Sequence, residues 1–284
     1  MAEISAAVVK ELRERTGSGM MDCKKALAET GGDMEKAIDY LREKGLAKAA
    51  KKAERTASDG RIFHHVSADG KLGVLLELNS ETDFVAKTDE FNALGQKIAS
   101  QLAAAPCDGV EALMEQEDLQ DEGKKIKDQV TAMIAKLGEN IVVRRFARFT
   151  TDKGHVACYV HNNYKVGALL ELSAPGLDEL GHEITMQIAA ASPSYIRPDE
   201  VTEDVLNRER DIYRQQLIDE GKPADRLDKI IEGKLRKYYE QNCLNEQEYI
   251  RDSNKKVKDL LKEAGAKAGG DVVIERFVRF SIGE

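Results

Sequence analysis

Two segments of this sequence each occur twice, and this internal repeat limits the folds that the chain can adopt. KLGVLLEL at 71–78 returns as KVGALLEL at 165–172, and GENIVVRRFARF at 138–149 returns as GGDVVIERFVRF at 269–280. Self-similarity of this kind indicates that one structural unit is present more than once. The sequence therefore predicts two copies of a single unit.

Each copy begins with two β-strand patterns that a turn separates, Asp69-Gly70 in the first copy and Asn162-Asn163 in the second. Helical patterns follow, and a third strand rich in Val, Ile and Phe ends each copy. This order predicts an α+β fold with two related subdomains, in which helices pack on a small antiparallel sheet.

The second copy contains an insertion. The matching segments begin 67 residues apart in the first copy (71 to 138) and 104 apart in the second (165 to 269), which leaves 37 additional residues. We place them within 201–246, where two helical patterns flank Gly221-Lys222-Pro223 and predict a helical hairpin of the coiled-coil type. Such a hairpin either binds a partner or packs on its own domain.

Three short helical patterns precede the repeat and predict an N-terminal three-helix bundle. The apolar residues recur at helical spacing, and we expect the three helices to end at Gly17, Gly31 and Gly45. A basic stretch, Lys48–Arg55, then forms a linker that is either solvated and partly helical or a basic patch for an acidic partner. The predicted domains are 1–55 (bundle and linker), 56–150 (first subdomain) and 151–284 (second subdomain).

The composition argues against several classes of function. The formal net charge is -8 with a pI near 5.4, so the chain lacks the basic field that attracts nucleic acid. No apolar run approaches the ~18 residues of a membrane span, and the first residues have no apolar signal core. We therefore expect a cytoplasmic protein that binds neither membranes nor, directly, nucleic acid.

Motifs for catalysis or metal binding are missing from the sequence. The four cysteines are scattered, and in the cluster His155, Cys158 and His161 the cysteine points to the other face of a predicted strand. No spacing marks an acid/base pair, and no phosphate-binding glycine loop is present. The sequence thus predicts a binding protein with no catalytic residues, no metal and no cofactor.

An apolar residue stands in a polar stretch where the second strand of the first copy ends. Phe84 follows Asn79-Ser80-Glu81-Thr82-Asp83, and the alternating strand pattern is lost before the next helix begins near Phe91. The second copy has Ser173-Ala174-Pro175-Gly176-Leu177-Asp178 at the matching place, so it does not repeat the feature. Phe84 is either a buried staple of the loop or an exposed probe.

Three long strings resemble one family. TDFVAK at 82–87, KELRERTGSGMMDCKKAL at 10–27 and AKAAKKA at 47–53 closely resemble translation elongation factor Ts, the exchange factor for elongation factor Tu. The similarity in layout covers nearly the whole chain. The resemblance implies an N-terminal bundle like a ubiquitin-associated (UBA) domain, a core of two related subdomains and a helical hairpin inserted in the second.

The resemblance also implies a function and a set of contacts. Family members bind elongation factor Tu, displace its Mg²⁺ with a Thr-Asp-Phe-Val loop and release GDP. The implied partner is therefore elongation factor Tu in both its GDP-bound and its nucleotide-free forms. Here the loop is Thr82, Asp83, Phe84 and Val85. The other contacts implied are Arg13, Met20, Met21, Lys52 and His161.

Several alternatives stay open on the sequence. Met20 and Met21 suit the core of the bundle as well as an interface. At His161 the pair Asn162-Asn163 replaces the commoner glycine-containing turn, and the hairpin could mediate partner contact or dimerisation. The main rival function is a nucleic-acid or ribosome-associated adaptor that uses the basic linker and the strand arginines Arg144, Arg145 and Arg148.

Overall fold

The computed structural model describes residues 4–284. Its α-helices are α1 (Ala6–Thr16), α2 (Met20–Glu29), α3 (Met34–Lys52), α4 (Asp83–Ala86), α5 (Asp89–Ala104), α6 (Val110–Glu115), α7 (Ile126–Leu137), α8 (Asp178–Ala191), α9 (Glu203–Asp219), α10 (Leu227–Asn242) and α11 (Val257–Ala268). Its strands are β1 (Asp59–Val66), β2 (Leu72–Ser80), β3 (Ile141–Thr150), β4 (His155–Val160), β5 (Val166–Leu172), β6 (Glu248–Tyr249), β7 (Asp252–Lys256) and β8 (Ile274–Ser281). Short 3-10 helices cover Pro198–Glu200, Ala224–Arg226 and Leu244–Glu246.

Helices α1 to α3 form the predicted three-helix bundle. Leu12, Cys23 and Leu27 are fully buried in its core. The Asp33 side chain caps α3 by accepting a hydrogen bond from the Lys36 amide, and this bond lowers the pKa of Asp33. The bundle is confirmed, whereas its detailed likeness to a UBA domain remains a prediction.

The expectation that the third helix ends at Gly45 is wrong. Helix α3 continues through Gly45 to Lys52, so most of the predicted basic linker is helical. A glycine inside a helix costs only about 1 kcal/mol relative to alanine. The residues that follow, Leu46 to Lys52, are all Leu, Ala or Lys, which are among the best helix formers. Extension of the helix therefore outweighs the break, and Gly45 lies buried against Ala135 of α7.

The chain divides into two compact units. The first comprises the described residues through His65, together with Val74–Arg148 and Ser281–Glu284; the second comprises Val66–Gly73 and Phe149–Phe280. In the first unit, β2 lies between β1 and β3 in a three-stranded sheet and is almost entirely buried. Helix α5 buries Phe91, Leu94, Ile98 and Leu102, the apolar stripe that the sequence predicts.

The second unit repeats this arrangement. Its sheet has the order β4-β5-β8, and β4 pairs antiparallel with β5 from His155 opposite Leu172 to Val160 opposite Gly167. Helices α8 and α11 contribute Ile184 and Leu261 to its apolar core. The predicted α+β class, with small sheets packed with helices, is confirmed.

Polar networks are duplicated as well as strands. Arg145 on β3 pairs with the buried Glu77 at 2.7 Å, and the corresponding Arg276 on β8 pairs with Glu171 at the same distance. The Gln101 amide donates to the Glu117 carbonyl at 3.0 Å, as Gln187 does to Glu248 at 3.1 Å. The repeat therefore extends to side-chain contacts, one between neighbouring strands and one that holds a helix, in each unit.

The insertion in the second unit is the predicted helical hairpin. Helices α9 and α10 bury Leu206, Leu217, Ile231 and Leu235 in a cluster of their own, and Gly221 has a left-handed φ of 72° at the turn between them. Each helix thus uses its apolar stripe within the hairpin.

Candidate partner-binding site

The candidate site is the single turn of helix that follows β2. Its cap is Thr82, whose hydroxyl oxygen accepts a hydrogen bond from the Val85 amide at 3.4 Å. Val85 and Ala86 are buried beneath the turn, whereas the Phe84 side chain is 80% exposed. One apolar ring therefore projects into solvent from a turn whose other apolar residues are packed.

Two sequence-based expectations need correction here. The segment from Thr82 to Val85 is a capped helical turn rather than an irregular loop, because Asp83 to Ala86 pack on the unit and Thr82 supplies the cap. The hypothesis of a buried staple at Phe84 is wrong, since no core residue encloses the ring. The ring is exposed although its apolar neighbours in the turn are packed, so it is available for contact with another molecule.

A carboxylate holds the start of this turn. The Thr82 hydroxyl donates to Oε1 of Glu139 at 2.7 Å, and the Thr82 amide donates to Oε2 at 3.0 Å. Thr82 lies just after β2 and Glu139 just before β3, so these hydrogen bonds join the end of β2 to the start of β3. Bonds to an ionised carboxylate are stronger than bonds between neutral groups, and here both oxygens are used.

The segment around Glu139 is itself fixed. The Asn140 amide donates to Glu81 at 2.7 Å, and the Asn140 side chain donates to the Arg55 carbonyl at 2.8 Å. The Lys52 ammonium donates to the carbonyl of Gly138. The end of α3, the start of β3 and the turn that carries Phe84 are thus connected by hydrogen bonds.

The acidic residue beside Phe84 has a close basic neighbour. Lys87 pairs with Asp83 across one helical turn, and both side chains are partly exposed. Screening by water makes an ion pair of this kind weak, at about 0.2–1 kcal/mol.

The N-terminal bundle presents a second apolar surface. Met20 and Met21 begin α2 and are 59% and 75% exposed, so the hypothesis that they form the bundle core is wrong. Arg13 on α1 is exposed, and Lys52 at the end of α3 is half-buried. The turn with Phe84 and these four residues all belong to the first unit.

His161 belongs to the second unit. It is exposed, and its Nδ1 lies 2.9 Å from the Tyr159 hydroxyl, which sets the orientation of the ring. The contact through His161 that the resemblance implies remains a prediction.

Most cations invoked for a nucleic-acid adaptor have partners within the chain. Lys48 pairs with Asp22 at 2.9 Å, Arg145 pairs with Glu77, and Arg148 donates to the Leu102 carbonyl at 3.0 Å. Phosphate binding would have to replace these contacts, which counts against the adaptor hypothesis.

Within residues 4–284, no group of three or more His, Cys, Asp or Glu side chains is arranged to hold a metal ion. Over the same residues, every helix is too short or too polar to cross a bilayer.

Sequence reasoning did not identify Glu139 as part of the site. Thr82 and Glu139 are 57 positions apart in the sequence, and no local pattern joins them. In the second copy Gly270 stands at the place of Glu139, and the chain passes from β5 to α8 without a helix like α4.

Comparison with known proteins agrees with this architecture. The sequence profile of a family described as "Elongation factor TS" matches residues 81–284. The chain is 45% identical to an "Elongation factor Ts" of Clostridium novyi (strain NT) and 45% identical to one of Clostridium acetobutylicum. Each match covers 99% of this chain and 93% of the relative.

The duplicated α+β units, the inserted hairpin and these relatives place the chain among the translation elongation factors. Within that class, the chain belongs to the elongation factor Ts family.

Proposed function

We propose that this chain is a guanine nucleotide exchange factor for elongation factor Tu. It binds the GDP-bound partner, displaces the Mg²⁺ ion, releases GDP and leaves a nucleotide-free complex in the cytoplasm. The observation that carries the proposal is the ring of Phe84, 80% exposed on a turn whose neighbours are packed. Membership of the elongation factor Ts family supports it.

A GTPase of this kind holds GDP through backbone amides around the phosphates and through a Mg²⁺ ion bound nearby. In this proposal Phe84 inserts between the elements that hold the ion, and Asp83 brings a negative charge close to the metal and phosphates. Thr82 and Val85 keep the turn in shape, through the cap and through burial. The chain itself contributes no catalytic group and no cofactor.

Exchange by this route is a matter of coupling between two binding events. Whatever the factor does to weaken GDP binding, GDP must do equally to weaken binding of the factor. The proposal therefore requires contacts that persist when GDP has left. The bundle residues Arg13, Met20, Met21 and Lys52, and His161 in the second subdomain, are the candidates for such contacts.

The proposed function is tested by release of a fluorescent GDP analogue from elongation factor Tu, with and without the chain. The native chain should accelerate release, and excess Mg²⁺ should reduce the acceleration because the ion and Phe84 compete. If release is unchanged while the chain is folded, the exchange function is rejected. Steeply salt-dependent binding to RNA would then favour the adaptor instead.

Substitution of Met21 by glutamate should weaken partner binding without much change in the maximal release rate. Met21 is 75% exposed, so the bundle loses no packing, whereas an interface would lose a buried apolar side chain worth about 1.5–3 kcal/mol. We expect the chain concentration that gives half-maximal release to rise about tenfold or more. Titration of the release rate against chain concentration measures this.

The matched control is Met21→Leu, which keeps an apolar side chain of similar volume and should behave like the native chain. An unchanged titration curve for Met21→Glu would remove Met21 from the contact surface.

A further inference from the structure

A helix of one turn cannot hold its shape alone. Formation of the first helical turn is unfavourable, because several dihedral angles are fixed for a single hydrogen bond. Helix α4 has four residues, and Phe84 within it is 80% exposed, so its ring adds little packing to hold the turn. The direction in which the ring projects therefore depends on what fixes the two ends of the turn.

The C-terminal end is fixed locally. The Thr88 hydroxyl donates to the Val85 carbonyl at 2.8 Å and accepts a hydrogen bond from the Phe91 amide at 3.3 Å. Thr88 thus ends α4 and caps α5. At the N-terminal end the Thr82 hydroxyl accepts from the Val85 amide, and the Ser80 hydroxyl donates to the Thr82 carbonyl at 2.9 Å. The anchor from outside this segment is Glu139, whose carboxylate accepts from both the amide and the hydroxyl of Thr82.

The second copy of the repeat serves as an internal comparison. There the chain passes from β5 through residues 173–177 directly into α8, without a helix like α4. Gly270 stands at the place of Glu139, so the carboxylate is absent as well. The one-turn helix and the carboxylate that holds it thus occur together in the first copy and are both missing from the second.

We infer that Glu139 is the positioning residue for Phe84, and that its carboxylate holds the turn so that the ring projects in the orientation needed to open the nucleotide site. This inference rests on the proposed exchange function. Glu139 reaches the partner only through Phe84, so its effect should disappear when the ring is absent.

The first experiment is a double-mutant cycle on GDP release from elongation factor Tu at saturating chain concentration. Glu139→Ala should slow release about tenfold, because misplacement of an acting group by about 1 Å already costs large factors in rate. In the Phe84→Ala background the same substitution should slow release less than twofold. Equal effects in both backgrounds would overturn the inference.

Matched variants separate positioning from general loss of structure. Thr82→Val loses the hydroxyl donor to Glu139 and should lower the release rate part of the way towards that of Glu139→Ala, and Thr82→Ser, which restores the donor, should recover most of that loss. Glu115 is the control for carboxylate removal, because its side chain also makes two short contacts, to Lys125 at 2.7 Å and Lys127 at 2.6 Å. Glu115→Ala should leave release unchanged.

The second experiment needs no partner and therefore stands if the exchange function fails. The chain has no tryptophan, so Phe84→Trp introduces a single indole at the end of the turn. Adding Glu139→Ala should increase the amplitude of nanosecond motion in its time-resolved anisotropy, while far-UV circular dichroism shows both variants folded. An unchanged anisotropy decay would overturn the inference. If Glu139→Ala fails to fold, Thr82→Val replaces it in both experiments.

Discussion

Replacement of Phe84 by alanine should slow GDP release from elongation factor Tu by one to two decades and leave the chain folded. Burial of a phenylalanine in a partner is worth about 1.5–3 kcal/mol. Each ~1.4 kcal/mol of lost transition-state stabilisation is a factor of ten in rate. The ring is 80% exposed in the free chain, so its removal costs the unit little packing. Release of a fluorescent GDP analogue at saturating chain concentration measures the effect.

Residual exchange is part of this prediction, because Asp83 and the contacts of the bundle remain. Two controls define the role of the ring. Phe84→Leu keeps part of the apolar surface and should lose less than Phe84→Ala. Leu119→Ala removes another exposed apolar side chain of the same unit, 62% exposed, and should have no effect. A Phe84→Ala chain that matches the native rate would mean that another residue displaces the Mg²⁺ ion.

The architecture was predictable because each element has a local signal that agrees with its packing. The repeated strands, the apolar stripe of α5 and the break at Gly221 each indicated an element that the structure contains. Agreement between periodicity and burial is the condition under which sequence patterns are reliable. The one misplaced boundary, at Gly45, arose because a single breaker was given more weight than the helix formers after it.

The site was only partly predictable, for a physical reason. The sequence indicated an unusual residue at Phe84. Whether an apolar side chain is buried depends on what surrounds it, and phenylalanine is more often buried than exposed. The hydrogen bonds from Thr82 to Glu139 join residues far apart in the chain. No local pattern encodes such a pair.

The same limitation applies to Met20 and Met21. Methionine fills irregular gaps in cores and also lines binding surfaces, so its identity does not separate the two. The structure separates the two, because both side chains are more than half exposed at the start of α2. The apolar core of the bundle is completed by other residues, among them Leu12, Cys23 and Leu27.

Substitution of Phe91 by alanine should have the opposite consequences to that of Phe84. Phe91 is fully buried in α5, and its ring centroid lies 6.1 Å from that of Phe63 on β1. Gly95, one helical turn further on, leaves the space that the Phe63 ring occupies, and a side chain there would overlap the ring. The two rings and the glycine thus form one closely packed contact between α5 and the sheet.

Removal of the Phe91 ring leaves a cavity beside the Phe63 ring in the contact between α5 and the sheet. Large-to-small changes of this type cost about 3–5 kcal/mol of unfolding free energy.

Urea unfolding followed by far-UV circular dichroism should therefore show a lower midpoint for the first unit, whereas Phe84→Ala should change the free energy of unfolding by no more than about 0.5 kcal/mol. At temperatures where Phe91→Ala remains folded, its saturating rate of GDP release should stay close to that of the native chain. A Phe91→Ala chain that keeps its stability would show that α5 repacks, and a loss of exchange without a loss of stability would place Phe91 in the path that orients Phe84.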